Sequence, residues 1–221
     1  MGKALASVVA LLVSMAAILF VGAGRLDWWQ AWLFLSVYGA ASLAVTIYLA
    51  RRDPELLARR MKGGPQAETR RSQRWIMAAF TPLWIALLVI PALDRRLGWS
   101  TVPAIAALSG DALILAGYAG IWRVFAENTY TAATVRVESG QALVDTGPYA
   151  LVRHPMYAAA LPMLVGMPLA LGSWWALVAV LLMLPILAWR MADEERVLVE
   201  ELPGYADYRR RVRWRLVPGV Y

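Results

Sequence analysis

Long apolar runs separated by short charged stretches set the pattern of this chain. The first run covers residues 4–24, close to the roughly 20 residues that a bilayer crossing needs. Lys3 before it and Gly22-Ala23-Gly24 at its end also suit a signal peptide. The run nevertheless exceeds an apolar signal core of roughly 7–15 residues, so it reads as a retained span. Arg25-Leu26-Asp27 makes a turn, and Trp28, Trp29 and Trp32 fall where an interfacial aromatic belt lies. A second span follows over 28–50. A third, over 75–93, carries Pro82 and Pro91 as expected kinks. Asp94-Arg95-Arg96 forms a brief turn and Trp99 marks the next interface. In the fourth span, 102–124, Gly110, Gly117 and Gly120 permit close helix approach. Runs 156–171 and 174–189 are joined only by Gly172-Ser173, which predicts a tight hairpin of helices bent at Pro162, Pro168 and Pro185.

The segments between the runs differ in kind. Residues 51–74 hold eight basic side chains, Arg51, Arg52, Arg59, Arg60, Lys62, Arg70, Arg71 and Arg74, against Asp53, Glu55 and Glu68. Asp53-Pro54-Glu55 is a helix start, with Asp as N-cap and Pro in the first turn, and Gly63-Gly64-Pro65 ends that helix. Residues 125–155 are polar and lack a helical period; 134–137 and 142–144 read as short extended pieces, and so long an irregular segment points to function. From Arg190 the last helix continues as a charged one, breaks at Leu202-Pro203-Gly204, and is followed by a short helix over 205–212. The excess of basic residues at 51–74 places that loop in the cytoplasm. Six crossings then put both termini, the 125–155 segment and the C-terminal tail on the same side. The expectation is an all-α, polytopic helical bundle: one membrane domain over 1–221, with four N-terminal spans in 1–124 and a candidate catalytic region in 125–221.

Composition narrows the function classes. Hydrophobic residues make up 60% of the chain and charged residues 17%, outside the range of soluble domains and in keeping with an integral membrane protein. There is no cysteine and one histidine, so thiolate chemistry is excluded and no metal site is expected. The net charge of +7 belongs to residues flanking spans, which suits anionic lipid better than nucleic acid.

The histidine lies in Gly147–Tyr157, GPYALVRHPMY. His154 before Pro155 reads as the cap of the helix that follows, with Arg153 reaching toward lipid headgroups. The same stretch also reads as a helix N-terminus offering amide donors to a carboxylate or phosphate, with His154 adding a directed hydrogen bond and Tyr149 and Tyr157 flanking a flat ring. Arg190 and Glu194 share a helix face. They are either an ordinary intrahelical pair or, at the inner end of an apolar run where charge is expensive, a site for an anionic substrate and for an ammonium group. Glu195, Glu200 and Glu201 read as a solvated face, and Tyr205 and Tyr208, beside Arg209 to Arg211, as an interfacial anchor.

Taken in order, Asn128, LVDTGPYALVRHPMY, an apolar hairpin, R-x-x-x-E-E-x-x-L, Y-x-x-Y-x-x-R-V and a Pro-Gly ending resemble the isoprenylcysteine carboxyl methyltransferases and the related phospholipid methyltransferases. The resemblance covers residues 128–218. It implies S-adenosylmethionine as methyl donor, bound on the cytoplasmic side of a membrane that the composition suggests is a bacterial inner membrane. The implied cofactor contacts are Thr134, Gln141, Ala142, Leu143, Val144, Tyr149, His154, Pro155, Met156, Tyr157 and Glu194. Arg190 would meet the carboxylate or head group of a lipophilic or prenylated acceptor entering sideways between helices, and Arg190 and Glu194 would act in catalysis. A carboxylate acceptor needs no strong base, whereas an amine would have to lose a proton to His154 or Glu194. Carboxyl O-methylation is the leading expectation and N-methylation of a phospholipid or other amine the alternative. Two other classes stand beside these: a membrane reductase using NADPH, with Arg153 or Arg136 at the extra phosphate, and a lipid-binding protein with no cofactor.

Overall fold

The computed structural model describes all residues except 64–67, 69, 132–136, 138 and 139. Among the described residues the regular structure is helical: α1 (Gly2–Ala23), α2 (Trp29–Arg52), α3 (Pro54–Met61), α4 (Arg71–Leu97), α5 (Ala104–Glu127), α6 (Pro155–Ala170), α7 (Ala176–Glu201) and α8 (Tyr205–Arg211), with a 3-10 turn at Gly147–Ala150. The helices α1, α2, α4, α5 and α7 are long and apolar enough to cross a membrane, so the protein is an integral membrane helical bundle. The sixth expected span, α6, has 16 residues and is shorter than those five. At 1.5 Å per residue it extends about 24 Å, less than a full hydrocarbon core.

Local chemistry fixes several helix ends. Gly24 and Gly98 adopt the left-handed conformation that closes α1 and α4. The Asp53 side chain accepts from the Leu56 N–H at 2.8 Å, as the Asp-Pro start predicts. α4, α6 and α7 run through Pro82, Pro91, Pro162, Pro168 and Pro185 as continuous helices. Trp29, Trp32, Trp99, Trp174 and Trp175 are exposed at one end of the bundle, in the manner of an interfacial belt. Trp28 is not part of it: it is buried, with its ring edge-on to Phe20.

At that belted end Asp94 is buried and accepts from the Ser100 N–H (2.6 Å), the Ser100 hydroxyl (2.6 Å) and the Ser173 hydroxyl (2.5 Å). One carboxylate thus ties the α4–α5 turn to the α6–α7 turn. The glycines of α5 act as expected. A Cβ on Gly110 would lie 2.3 Å from the Ala170 nitrogen, and one on Gly117 would lie 2.7 Å from the Ala159 oxygen, so α5 and α6 pack backbone to backbone.

The hairpin is not tight along its length. α6 lies mainly on α5, and α7 mainly on α4. The two helices diverge because α6 has glycine and alanine partners on α5 that admit its backbone. The opening between them at the polar end is where the site forms. Across the ends of α2 and α5, the amphipathic α3 buries Leu56 with Leu49 and Phe125.

Candidate functional site

A cavity of about 440 Å³ occupies the gap between α4, α6 and α7 and reaches the loops at the polar end of the bundle. Its mouth is polar, with Asn128, Gln141, Tyr149, His154, Glu194 and Tyr205 on its walls. Its depth is apolar, lined by Phe80, Trp84, Met163, Leu164, Met167 and Leu187. The expected residues Gln141, Ala142, Leu143, Val144, Tyr149, His154, Pro155, Met156, Tyr157, Arg190 and Glu194 all line this one cavity. Thr134, and Arg136 of the reductase alternative, lie outside the described residues, as does the extended piece expected over 134–137 apart from Val137; residues 142–144 are irregular coil.

Arg190 and Glu194 do not form the simple intrahelical pair of the first reading. Both reach the Tyr157 hydroxyl: Arg190 Nε donates to it at 2.9 Å, and it donates to Glu194 Oε2 at 2.8 Å. Arg190 also points Nη2 at Glu68 Oε1 (3.0 Å) and Nη1 at the Met77 sulfur (2.7 Å). The guanidinium is thereby buried and held in one orientation at the junction of the polar mouth and the apolar depth. Tyr157 can bridge the pair because Pro155 starts α6 and turns the first helical residues toward α7.

Glu195 overturns an expectation. It does not belong to a solvated face; it is 2% exposed. Its Oε1 accepts from Arg153 Nε at 2.7 Å and lies 3.2 Å from His154 Nε2, and its Oε2 accepts from Arg215 Nε at 3.2 Å. Arg153 accordingly does not reach for headgroups. Its side chain is buried, and its Nη1 donates to the carbonyls of Val212 (2.8 Å) and Arg213 (2.7 Å). The His154 side chain makes no capping bond to α6. Instead the backbone N–H groups of Arg153 and His154 donate to Trp214 and Arg215 carbonyls, both at 2.9 Å. The segment after α8 is thus strapped onto the wall that carries His154. Glu200 and Glu201 are exposed as expected.

Tyr205 and Tyr208 are not surface anchors. Both are buried against Leu143, Tyr149 and Leu202. The Tyr208 hydroxyl donates to the Tyr149 carbonyl at 2.8 Å, and the Tyr149 hydroxyl accepts from Asn128 Nδ2 at 3.0 Å. Burial pushes the Tyr149, Tyr205 and Tyr208 hydroxyls above the ordinary tyrosine range, and for Tyr205 the carboxylates of Glu195 and Glu194 add to it. All three stay protonated, and that of Tyr208 is the one seen donating. The Tyr205 oxygen is buried and has no hydrogen-bond partner among the described residues. Gly147, at φ 55, is set by the turn before this wall; a Cβ there would meet the Glu127 side chain at 2.6 Å.

Sequence reasoning missed four contributors. Arg60 of α3 lines the cavity with its guanidinium 5.2 Å over the Phe125 ring. Asn128, Glu195 and Tyr205 complete the set. The last three sit inside the quoted motifs, which were the available signal; Arg60 had none beyond its basic loop.

Residues 105–204 match the family model described as phospholipid methyltransferase. No curated protein matches the chain.

Proposed function

We propose that this membrane protein, with a phospholipid methyltransferase family domain over residues 105–204, is an S-adenosylmethionine-dependent enzyme that methylates the carboxylate of a lipophilic acceptor, as isoprenylcysteine carboxyl methyltransferases do. The observation that carries this reading is the polarity of the cavity: charged and aromatic at its mouth, apolar in its depth, with Arg190 fixed between the two. Such a space suits a polar nucleotide-like donor beside the head group of an amphiphile.

The residues at the mouth fit the donor. Glu194 is a carboxylate for its ammonium group, Tyr149 and His154 present rings, and Tyr205 supplies a buried hydroxyl that a ligand would satisfy. When bound, the donor supplies a sulfonium methyl group to an in-line nucleophile, and the electrons of the broken carbon–sulfur bond remain on sulfur. Arg190 orients the acceptor carboxylate; its guanidinium already meets a carboxylate, that of Glu68. Tyr157 fixes the spacing between Arg190 and Glu194. The apolar walls exclude water from the nucleophile, and positioning then supplies much of the rate without a general base. The arginines around α3 support a cytoplasmic mouth.

Of the two arginines that the reductase alternative could place at a phosphate, Arg153 is already engaged by Glu195 and two backbone carbonyls, and Arg136 lies outside the described residues. Calorimetry on the detergent-purified protein tests the proposal. S-adenosylmethionine and S-adenosylhomocysteine are expected to bind and NADPH is not. His154→Ala and Glu194→Ala weaken that binding, while Arg190→Ala spares it and lowers turnover. Absence of binding by either sulfur nucleotide would falsify the enzyme reading. Tracing a labelled methyl group into the lipid extract of cells with and without the protein identifies the acceptor; a label that resists mild base, as an amine would, refutes the ester.

A further inference from the structure

A second concavity, of about 320 Å³, lies between α2 and α5. Ala41, Ala44, Val45 and Tyr48 form one wall and Ala119 and Trp122 the other. The alanines make the groove, because their short side chains leave the two helix backbones uncovered. The edge-to-face pair of Tyr48 and Trp122, 5.8 Å between ring centres, borders it toward the polar end of the bundle. Tyr118 of α5 lines it as well.

Tyr118 is also one half of a ring pair. Its ring stands edge-on to Tyr38 at 5.4 Å, and its hydroxyl is 2.5 Å from the Ser42 hydroxyl. Tyr118 lines the groove, and Tyr38 lines the cavity that holds Arg190 and Glu194. The two spaces therefore meet at one ring contact, Tyr118 against Tyr38. Depth identifies what fills the groove. α2 and α5 are both long apolar membrane helices. Residues 41–48 and 118–122 fall in their halves nearer the polar end. A groove there faces the hydrocarbon of that leaflet.

We propose that this α2–α5 groove seats one aliphatic lipid chain and is the route by which the acceptor's tail reaches the cavity, with Tyr118 as the element that moves. The proposal rests on the methyltransferase reading above. Turning Tyr118 away from Tyr38 and Ser42 opens that contact without disturbing Arg190, Glu194 or the loops at the mouth. The tail then lies among Trp84, Met163 and Met167, and its polar head stays at the level of Arg190.

The test places the full chain in lipid nanodiscs containing a phosphatidylcholine with a diazirine on one acyl chain, followed by irradiation and peptide mapping. Adducts on 41–48 and 118–122 are expected to exceed those on the exposed Val9 and Val13 of α1 by about fivefold, a preference that the extra packing contacts of a lined groove supply. Ala44→Trp fills the groove and removes that excess; Ala44→Leu, a milder change, lowers it. Tyr118→Phe, which lacks the Ser42 bond, raises labelling of Met163 and Met167. Even labelling of groove and α1 overturns the proposal, as does a groove shielded from label in a disc that holds two chains, which would mean a second copy covers it. Cavity labelling unchanged in Tyr118→Phe overturns the route. Labelling requires no methyl donor, so the two readings fail separately. An unlabelled groove in protein that binds S-adenosylmethionine sinks the lipid route alone. A labelled groove in protein that binds no sulfur nucleotide sinks the methyltransferase reading alone.

Discussion

Replacing Glu195 by glutamine removes a charge that two arginines and a histidine face. Arg153, with a side chain 7% exposed, loses the one carboxylate it meets among the described residues, though its Nη1 keeps the carbonyls of Val212 and Arg213. Arg215, 31% exposed, retains water, so its share is discounted toward the exposed range of about 0–1 kcal/mol. Breaking a buried pair by removing one partner costs about 3–5 kcal/mol, and the two surviving carbonyl bonds place Glu195→Gln at the lower end, about 3 kcal/mol. For a chain of this size that corresponds to a loss of roughly 6–12 °C in unfolding midpoint. The assay is thermal unfolding in one detergent at fixed protein concentration, with calorimetric titration of S-adenosylmethionine beside it. The affinity is expected to fall as well, because the strap over residues 212–215 holds the backbone of Arg153 and His154. A second variant isolates the cause. Arg153→Met in the Glu195→Gln background removes the unpaired charge, so the double variant should be more stable than Glu195→Gln alone. A midpoint within about 2 °C of the parent for Glu195→Gln, a shift worth less than about 1 kcal/mol, would refute the reasoning, as would a double variant that is simply the sum of two losses.

Three other perturbations bear on different parts of the molecule. Tyr157→Phe deletes the hydroxyl that joins Arg190 to Glu194; hydrogen bonds to charged groups contribute about 1.5–3 kcal/mol, so turnover should drop roughly ten- to a hundredfold with the fold intact, and a steady-state assay showing parent-like rates would argue against a fixed Arg190. Gly110→Ala drives a methyl group into the Ala170 backbone and should cost about 1–3 kcal/mol of stability by overpacking, read as a lowered midpoint; an unshifted midpoint would mean that α5 and α6 can separate. Asp94→Ala leaves the Ser173 hydroxyl and the Ser100 N–H without their acceptor at the end remote from the cavity. It should lose about 1–3 kcal/mol while S-adenosylmethionine affinity holds, and a change in that affinity would contradict the separation of the two ends.

The chain by itself determined its membrane helices, because burying a backbone in hydrocarbon demands long uninterrupted apolar runs and those are visible one residue at a time. Asp53 and Pro54 declared the start of α3, and the glycines of α5 declared its close packing, since both effects act through the residue's own geometry. The ordered motifs named the residues that come to line one cavity. What the linear pattern could not settle was which side of a charged helix would be covered. Glu194 and Glu195 are neighbours on the same exit from the membrane, about 100° apart around the helix. One faces Tyr157 and the cavity; the other is buried under Arg153 and Arg215. That difference arises from a strap some twenty residues further along the chain, which returns over the wall carrying His154. Tyr205 and Tyr208 are buried for the same reason, and Trp28 is drawn inward by Phe20 of the preceding helix. The splay of α6 from α7 depended on α5 and α4 as competing partners. Apolar length is a property of a segment, whereas the burial of a charge or a ring is decided by whatever distant segment comes to lie upon it, and only the tertiary structure supplies that.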